Sequence, residues 1–179
     1  MVTALIFLSV LTLVAGSVTI NFPFEEIQLE EDVATSLPGI AFGNSSSVPN
    51  VYAGPPCKLE PGDDGWPTFH EWARFNQSLG GRLLHPFPAE SVCYSGPHYN
   101  ETQCNFLLGP VNTTRFYLND PLAVLTQWAE GDTCPATLNP EDNCNRGGYP
   151  FYVVNATTVK DIQLAINFAR NKNIRLNIK

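Results

Sequence analysis

Ile162, Ala165, Ile166 and Ala169 recur at i, i+3, i+4 and i+7, and that spacing constrains the C-terminal part of this 179-residue chain more than any other feature. It predicts an amphipathic helix. Thr158-x-x-Asp161 at its start has the form of a capping box, with the acid also placed well for the helix dipole. Asn171-Lys172-Asn173 ends it. Phe151 to Val154, before the helix, is short, aromatic and β-branched. Ile174-Arg175-Leu176-Asn177-Ile178, after it, alternates apolar and polar. Together they read as strand, helix, strand. One such unit cannot cover both faces of its sheet, so an α+β fold with an incomplete domain is expected.

Upstream the pattern is looser. Fifteen prolines and thirteen glycines predict a chain rich in loops. Residues 18–56 have mixed polarity and a Ser-rich run, and read as an extended arm with little regular structure. A first helix is expected from Pro67, which suits a first helical position, with Phe69, Trp72, Phe75 and Leu79 on one face and Gly80-Gly81 closing it. Residues 82–118 show no sustained period. A second helix is expected to begin at Asn119-Asp120-Pro121, with Leu122, Leu125 and Ala129 on one face. A loop over 132–148 follows.

The first residues resemble a secretory signal. Ala4 to Val14 is an apolar run too short to span a bilayer, and Ala15, Gly16 and Ser17 supply small residues for cleavage. Asn44, Asn76, Asn100, Asn112 and Asn155 each open an N-x-S/T sequon. A secreted, glycosylated protein is therefore expected, with no membrane segment after signal removal. In that compartment the five cysteines read as disulfide formers rather than metal ligands. The simplest pairing is local, Cys93 with Cys104 and Cys134 with Cys144. Sequence alone does not fix the connectivity, and Cys57 is left over.

The formal net charge of -7 argues against a nucleic-acid surface. Five acids at 25–32 and five bases from Lys160 to Lys179 read as solvated surfaces. Rival active sites find little support. His70-Glu71 lacks the second histidine of H-E-x-x-H, no G-x-S-x-G elbow is present, and Cys93 near His98 reads as a disulfide half rather than a catalytic thiol.

Two sets of motifs resemble a known family. Tyr152-Val153-Val154-Asn155-Ala156-Thr157-Thr158-Val159-Lys160-Asp161-Ile162, then Phe168-Ala169-Arg170, then Ile174-Arg175-Leu176-Asn177-Ile178-Lys179 resemble the opening of the flavin domain shared by vanillyl-alcohol oxidases, p-cresol methylhydroxylase and berberine-bridge-like enzymes. Pro61-Gly62-Asp63-Asp64-Gly65-Trp66-Pro67, Glu71-Trp72 with Leu79-Gly80-Gly81-Arg82-Leu83, and Cys134 with Cys144 before Gly148-Tyr149 resemble the secreted fungal members. The likeness covers about Cys57 to Lys179. Leu59 and Gly65 stand where such members often carry cysteines, so one bridge is missing and Cys57 either awaits a partner or is free.

The residues give a signal over 1–17 and an arm over 18–56; the resemblance implies a bridged lead with two helices over 57–148 and the start of an incomplete FAD-binding domain over 149–179. It implies that the complete protein binds FAD, oxidises a small-molecule substrate (an alcohol, sugar or secondary metabolite) and usually passes electrons to oxygen. The flavin's pyrophosphate loop, which in the family usually carries a flavin-linked histidine, would follow Lys179. Catalytic residues are therefore expected to be absent here. Lys179 itself either leans toward that loop or is a solvated lysine. The rival expectation is a non-catalytic secreted glycoprotein.

Overall fold

The computed structural model describes residues 21–43, 57–109, 118–119, 121–122 and 131–179. The signal over 1–17, the sequons at Asn44 and Asn112, and most of the second helix expected after Asn119 lie outside them.

Among the described residues the α-helices are α1 (Pro23–Glu26), α2 (Glu31–Thr35), α3 (Phe69–Ser78), α4 (Glu101–Leu108) and α5 (Val159–Asn171). Short 3-10 turns cover Pro38–Ile40 and Ala89–Cys93. The sheet is small. β1 (Leu83–Leu84) pairs antiparallel with β2 (Val153–Val154), Leu83 opposite Val154 and Leu84 opposite Val153. A parallel bridge joins Leu59 to Ile174. The strand expected over 174–178 is thus reduced to one bridging residue. Its successors find no ladder partner among the described residues, and Leu176 and Ile178 are exposed.

The main core lies between α3, α5 and the N-terminal segment. Leu29, Ala34, Ile40, Trp72, Phe75, Leu79, Leu164 and Phe168 form it, with Trp66, Tyr152 and Val154 packed around. The α5 helix forms as its capping box requires. Thr158 Oγ1 accepts from the Asp161 N–H, and the Asp161 carboxylate accepts from the Thr158 N–H at 3.1 Å. Its buried face differs from the expected one. Asp161, Leu164, Phe168 and Ala169 are buried, whereas Ile162 and Ile166 are 46% and 42% exposed. At 3.6 residues per turn the two stripes lie about a third of a turn apart. The one that wins carries Phe168, whose ring stacks on Phe75 at 4.1 Å and meets Trp72 at 5.0 Å. An aromatic pair buries more area than an isoleucine.

The α3 helix also starts later than Pro67. Thr68 is the cap: its Oγ1 accepts from the Glu71 N–H, and Glu71 Oε2 accepts from the Thr68 N–H at 2.8 Å. Trp72, Phe75 and Leu79 are buried, but Phe69, in the first turn, points to solvent. Gly80 and Gly81 end the helix at φ 63° and 85°, where a side chain would be strained.

Residues 21–43 are not the featureless arm expected. Leu29, Ala34, Ile40 and Ala41 are buried, and the polar face of α5 fixes the backbone beside them. The Leu29 N–H donates to Gln163 Oε1 at 2.7 Å, Asn167 Nδ2 donates to the Ile40 carbonyl at 3.0 Å, and Arg170 donates to the Ala41 carbonyl at 2.6 Å. Helices this short have little intrinsic stability; tertiary packing makes them. Pro121 and Leu122 form a bend rather than a first helical turn. Pro121 has no N–H with which to extend the helical Leu118–Asn119, so the chain turns there.

The loop-rich region is held by its own smaller core, Cys93, Tyr94, Cys104 and Cys134. Cys93 is bonded to Cys104 and Cys134 to Cys144, across sequence separations of 11 and 10. Cys57 is free and exposed. The Tyr94 hydroxyl donates to the Pro135 carbonyl at 2.5 Å, linking the two bridged loops. Closing loops this short stabilises by about 2–3 kcal/mol each. Replacing Cys93 and Cys104 by serine should lower stability by about that amount in urea unfolding. Non-reducing peptide mapping that linked Cys57 to Cys93 would refute the pairing.

Candidate functional site

The chemistry-bearing side chains gather where α5 begins. Asp161 is fully buried there. One of its oxygens accepts from the Arg82 guanidinium. The other accepts from the Thr157 N–H at 3.0 Å, the Thr157 hydroxyl at 3.1 Å and the Thr158 N–H. Burial alone would push this carboxyl up. The Arg82 bond, with those from Thr157 and Thr158, outweighs it and brings the pKa down from 3.8 to about 2. The carboxylate therefore stays charged, which suits a structural anchor and not a proton-transfer group. It ties the end of α3, through Arg82, to the β2–α5 corner.

At the other end of α5, Lys172 pairs with Glu71 of α3. The Lys172 ammonium is the main reason the Glu71 carboxyl falls from 4.5 to about 2. Beyond β1 and β2 lies an aromatic group. His85 faces Phe87, Phe151 and Tyr152 at 5.0 to 5.6 Å, and His98 stacks on Phe87 at 4.2 Å. Arg146 lies over both Phe87 and Phe151 while donating to the Pro86 and Pro150 carbonyls. His70 stands apart from both other histidines, exposed in the first turn of α3. Among the described residues no three His, Cys, Asp or Glu side chains converge to hold a metal ion.

The sequence reading named Asp161 as a cap but missed its pairing with Arg82. The signal was present, since both belong to short motifs quoted above. Their 79-residue separation hid the contact. Likewise Thr68-x-x-Glu71 is a capping-box pattern that marks the α3 start. Asn76 lies in α3, Asn100 just before α4 and Asn155 just after β2. Lys179 is exposed and engaged in contacts of its own.

No family model matches the chain. Comparison with curated proteins is more informative. Over 147 residues, 80% of this chain, it is 35% identical to the VAO-type flavoprotein oxidase VAO615 of Thermothelomyces thermophilus. It is 38% identical over 124 residues, 69% of the chain, to the FAD-linked oxidoreductase apf9 of Gibberella fujikuroi. The fold agrees. The crystal structure of VAO-type flavoprotein MtVAO615 from Myceliophthora thermophila C1 superposes with a TM-score of 0.61 at 36% identity, over 66% of this chain and 22% of that one. This chain belongs to the VAO-type flavoproteins. MtVAO713 from the same source gives 0.60 at 31% identity, over 66% of this chain and 21% of that one. The chain spans about a quarter or less of the length of the curated relatives it matches: 25% of VAO615 and 21% of apf9.

VAO-type flavoproteins and FAD-linked oxidoreductases carry FAD. A dinucleotide needs free backbone N–H donors for its diphosphate, as at an open helix N-terminus. Each described helix of eight or more residues closes its own N-terminus instead. Thr68 with Glu71 caps α3, Asn100 caps α4, and Thr158 with Asp161 caps α5. The Asp161 carboxylate would in addition repel a phosphate. The N-termini of these helices thus do not fit the cofactor's diphosphate, and no chemical step follows through it from these residues.

Proposed function

We propose that this chain is the N-terminal part of a secreted, FAD-dependent oxidoreductase that oxidises an alcohol, sugar or secondary metabolite with oxygen as acceptor. The carrying observation is the identity of 35–38% to proteins named flavoprotein oxidase and FAD-linked oxidoreductase. In this reading the 179 residues supply scaffold. The Arg82–Asp161 anchor and the core around Phe168 fix the direction in which Ile174 to Lys179 leaves the module. In such an enzyme the flavin supplies the redox chemistry and the protein supplies position and electrostatics. Secretion is supported by the apolar run before Ala15 and by the five sequons.

One observation favours the rival, a secreted glycoprotein without catalysis: the capped N-termini of α3, α4 and α5 offer a diphosphate no open helix end. Two expressions separate the readings. The 179-residue chain, made with excess FAD, should be colourless and show no FAD-dependent rise in melting temperature. The longest open reading frame that contains it should encode a Gly/His loop after Lys179 and yield a yellow protein. A colourless product from the longer frame favours the rival. A yellow 179-residue protein would place the cofactor within these residues after all.

A further inference from the structure

Two of the sequons are built into the fold in an unusual way. Asn76 sits in the last turn of α3, half-buried, and its Oδ1 accepts the Leu83 N–H at 3.0 Å. That bond holds the turn through Gly80 and Gly81 that delivers β1. Asn100 caps α4: its Oδ1 accepts the Gln103 N–H at 3.0 Å, while its own N–H donates to the Val92 carbonyl at 2.8 Å beside the Cys93–Cys104 bridge. In both, the oxygen alone is committed. Neither amide nitrogen donates to a described residue; Asn76 Nδ2 is not among the buried, unpartnered polar atoms of the described residues, and Asn100 is an exposed residue. Each nitrogen is therefore uncommitted among the described residues. Asn155 is the reverse case. Its side chain is exposed, and the structural member of its sequon is Thr157, whose hydroxyl bonds to Asp161.

We propose that Asn76 and Asn100 are N-glycan acceptors whose own amide oxygens hold the backbone, so that one side chain both anchors the fold and carries the sugar. The inference rests on the secretory reading above. The chemistry allows the double use. Nδ2 attacks the anomeric carbon of a lipid-diphosphate-linked oligosaccharide and a C–N bond forms. The anomeric C–O bond to the lipid diphosphate breaks, that diphosphate leaves, and Nδ2 gives up one proton. Oδ1 takes no part and remains an acceptor.

The test uses the full chain in a secreting eukaryotic host. Ser78→Ala and Thr102→Ala delete a sequon but keep the amide. Asn76→Asp and Asn100→Asp delete it but keep the oxygen. Asn76→Ala and Asn100→Ala remove both. Glycopeptide mass spectrometry of the parent should find sugar on the Asn76 and Asn100 peptides. All forms are then treated with peptide N-glycosidase, whose hydrolysis releases the glycosylamine and leaves aspartate. The Asp and Ser/Thr variants should then melt with the parent, and each Ala variant about 3 °C lower. An Ala variant recovered only as aggregate, beside a well-secreted Asp variant, gives the same answer. Bare Asn76 or Asn100 beside a glycosylated Asn155 overturns the proposal, as do Ala variants that melt with their Asp counterparts. Sugar on no sequon at all overturns the secretory reading together with it.

Discussion

Replacing Asp161 by alanine should destabilise the chain by about 2–3 kcal/mol, below the range for breaking a fully buried ion pair from one side because the Arg82 side chain is 36% exposed and solvent takes over part of its charge. The substitution strips the partner from Arg82, whose Nε is already buried without one, and orphans the Thr157 and Thr158 N–H groups at the head of α5. Asp161→Asn keeps an acceptor and should cost less. It should also remove a pH dependence. The folded pKa of about 2 lies below the ordinary 3.8, so the carboxylate stabilises the fold when ionised. That contribution is complete above about pH 4 and is lost as the pH falls through about 2. Glu71 also titrates near 2, but more than a third of its side chain is exposed, so solvent screens its share. Urea unfolding of the parent and Asp161→Asn, both in a Glu71→Gln background, isolates the buried group. The difference between them should shrink from pH 4 to pH 2. A gap that stays constant over that range would show that the Asp161 charge contributes nothing.

Phe168→Ala is expected to cost about 3–5 kcal/mol. Phe168 is 4% exposed and lies between Phe75 and Trp72, in rigid secondary structure that cannot collapse fully into the space left. Ile166→Ala, two residues away on the exposed stripe, should change stability by under about 0.5 kcal/mol. Denaturant unfolding of the two variants measures which face α5 buries. A larger loss at Ile166 than at Phe168 would mean that the helix is rotated by about a third of a turn from the one described.

Much was legible because it is local. The α5 start is fixed by Thr158 and Asp161, three residues apart, and the α3 end by two adjacent glycines. The local cysteine pairs and the end of the helix before Asn173 are of the same kind, whereas the strand expected over 174–178 is reduced to the bridge at Ile174. The errors share a different origin. The sequence carries two candidate apolar stripes on α5, and a count of matches to the helical period favoured Ile162, Ala165, Ile166 and Ala169. It could not register that Phe168 has Phe75 and Trp72 to stack on, since those rings arrive from about ninety residues upstream. Leu29, Ala34 and Ile40 looked like scattered apolar residues in an arm because their partner, α5, lies more than a hundred residues away.

The sequence by itself determined the kinship with FAD-linked oxidoreductases, the caps of the principal helices and the apolar residues available to a core. These depend on residue identity and on spacings within one turn. Only the tertiary structure decided which face of α5 is buried, that residues 21–43 belong to the core, and that Arg82 belongs to Asp161. It also decided that the amide oxygens of Asn76 and Asn100 are committed to the backbone. Such choices are made by competition among distant groups for the same buried volume and the same hydrogen-bond partners, and no short window of sequence contains both competitors.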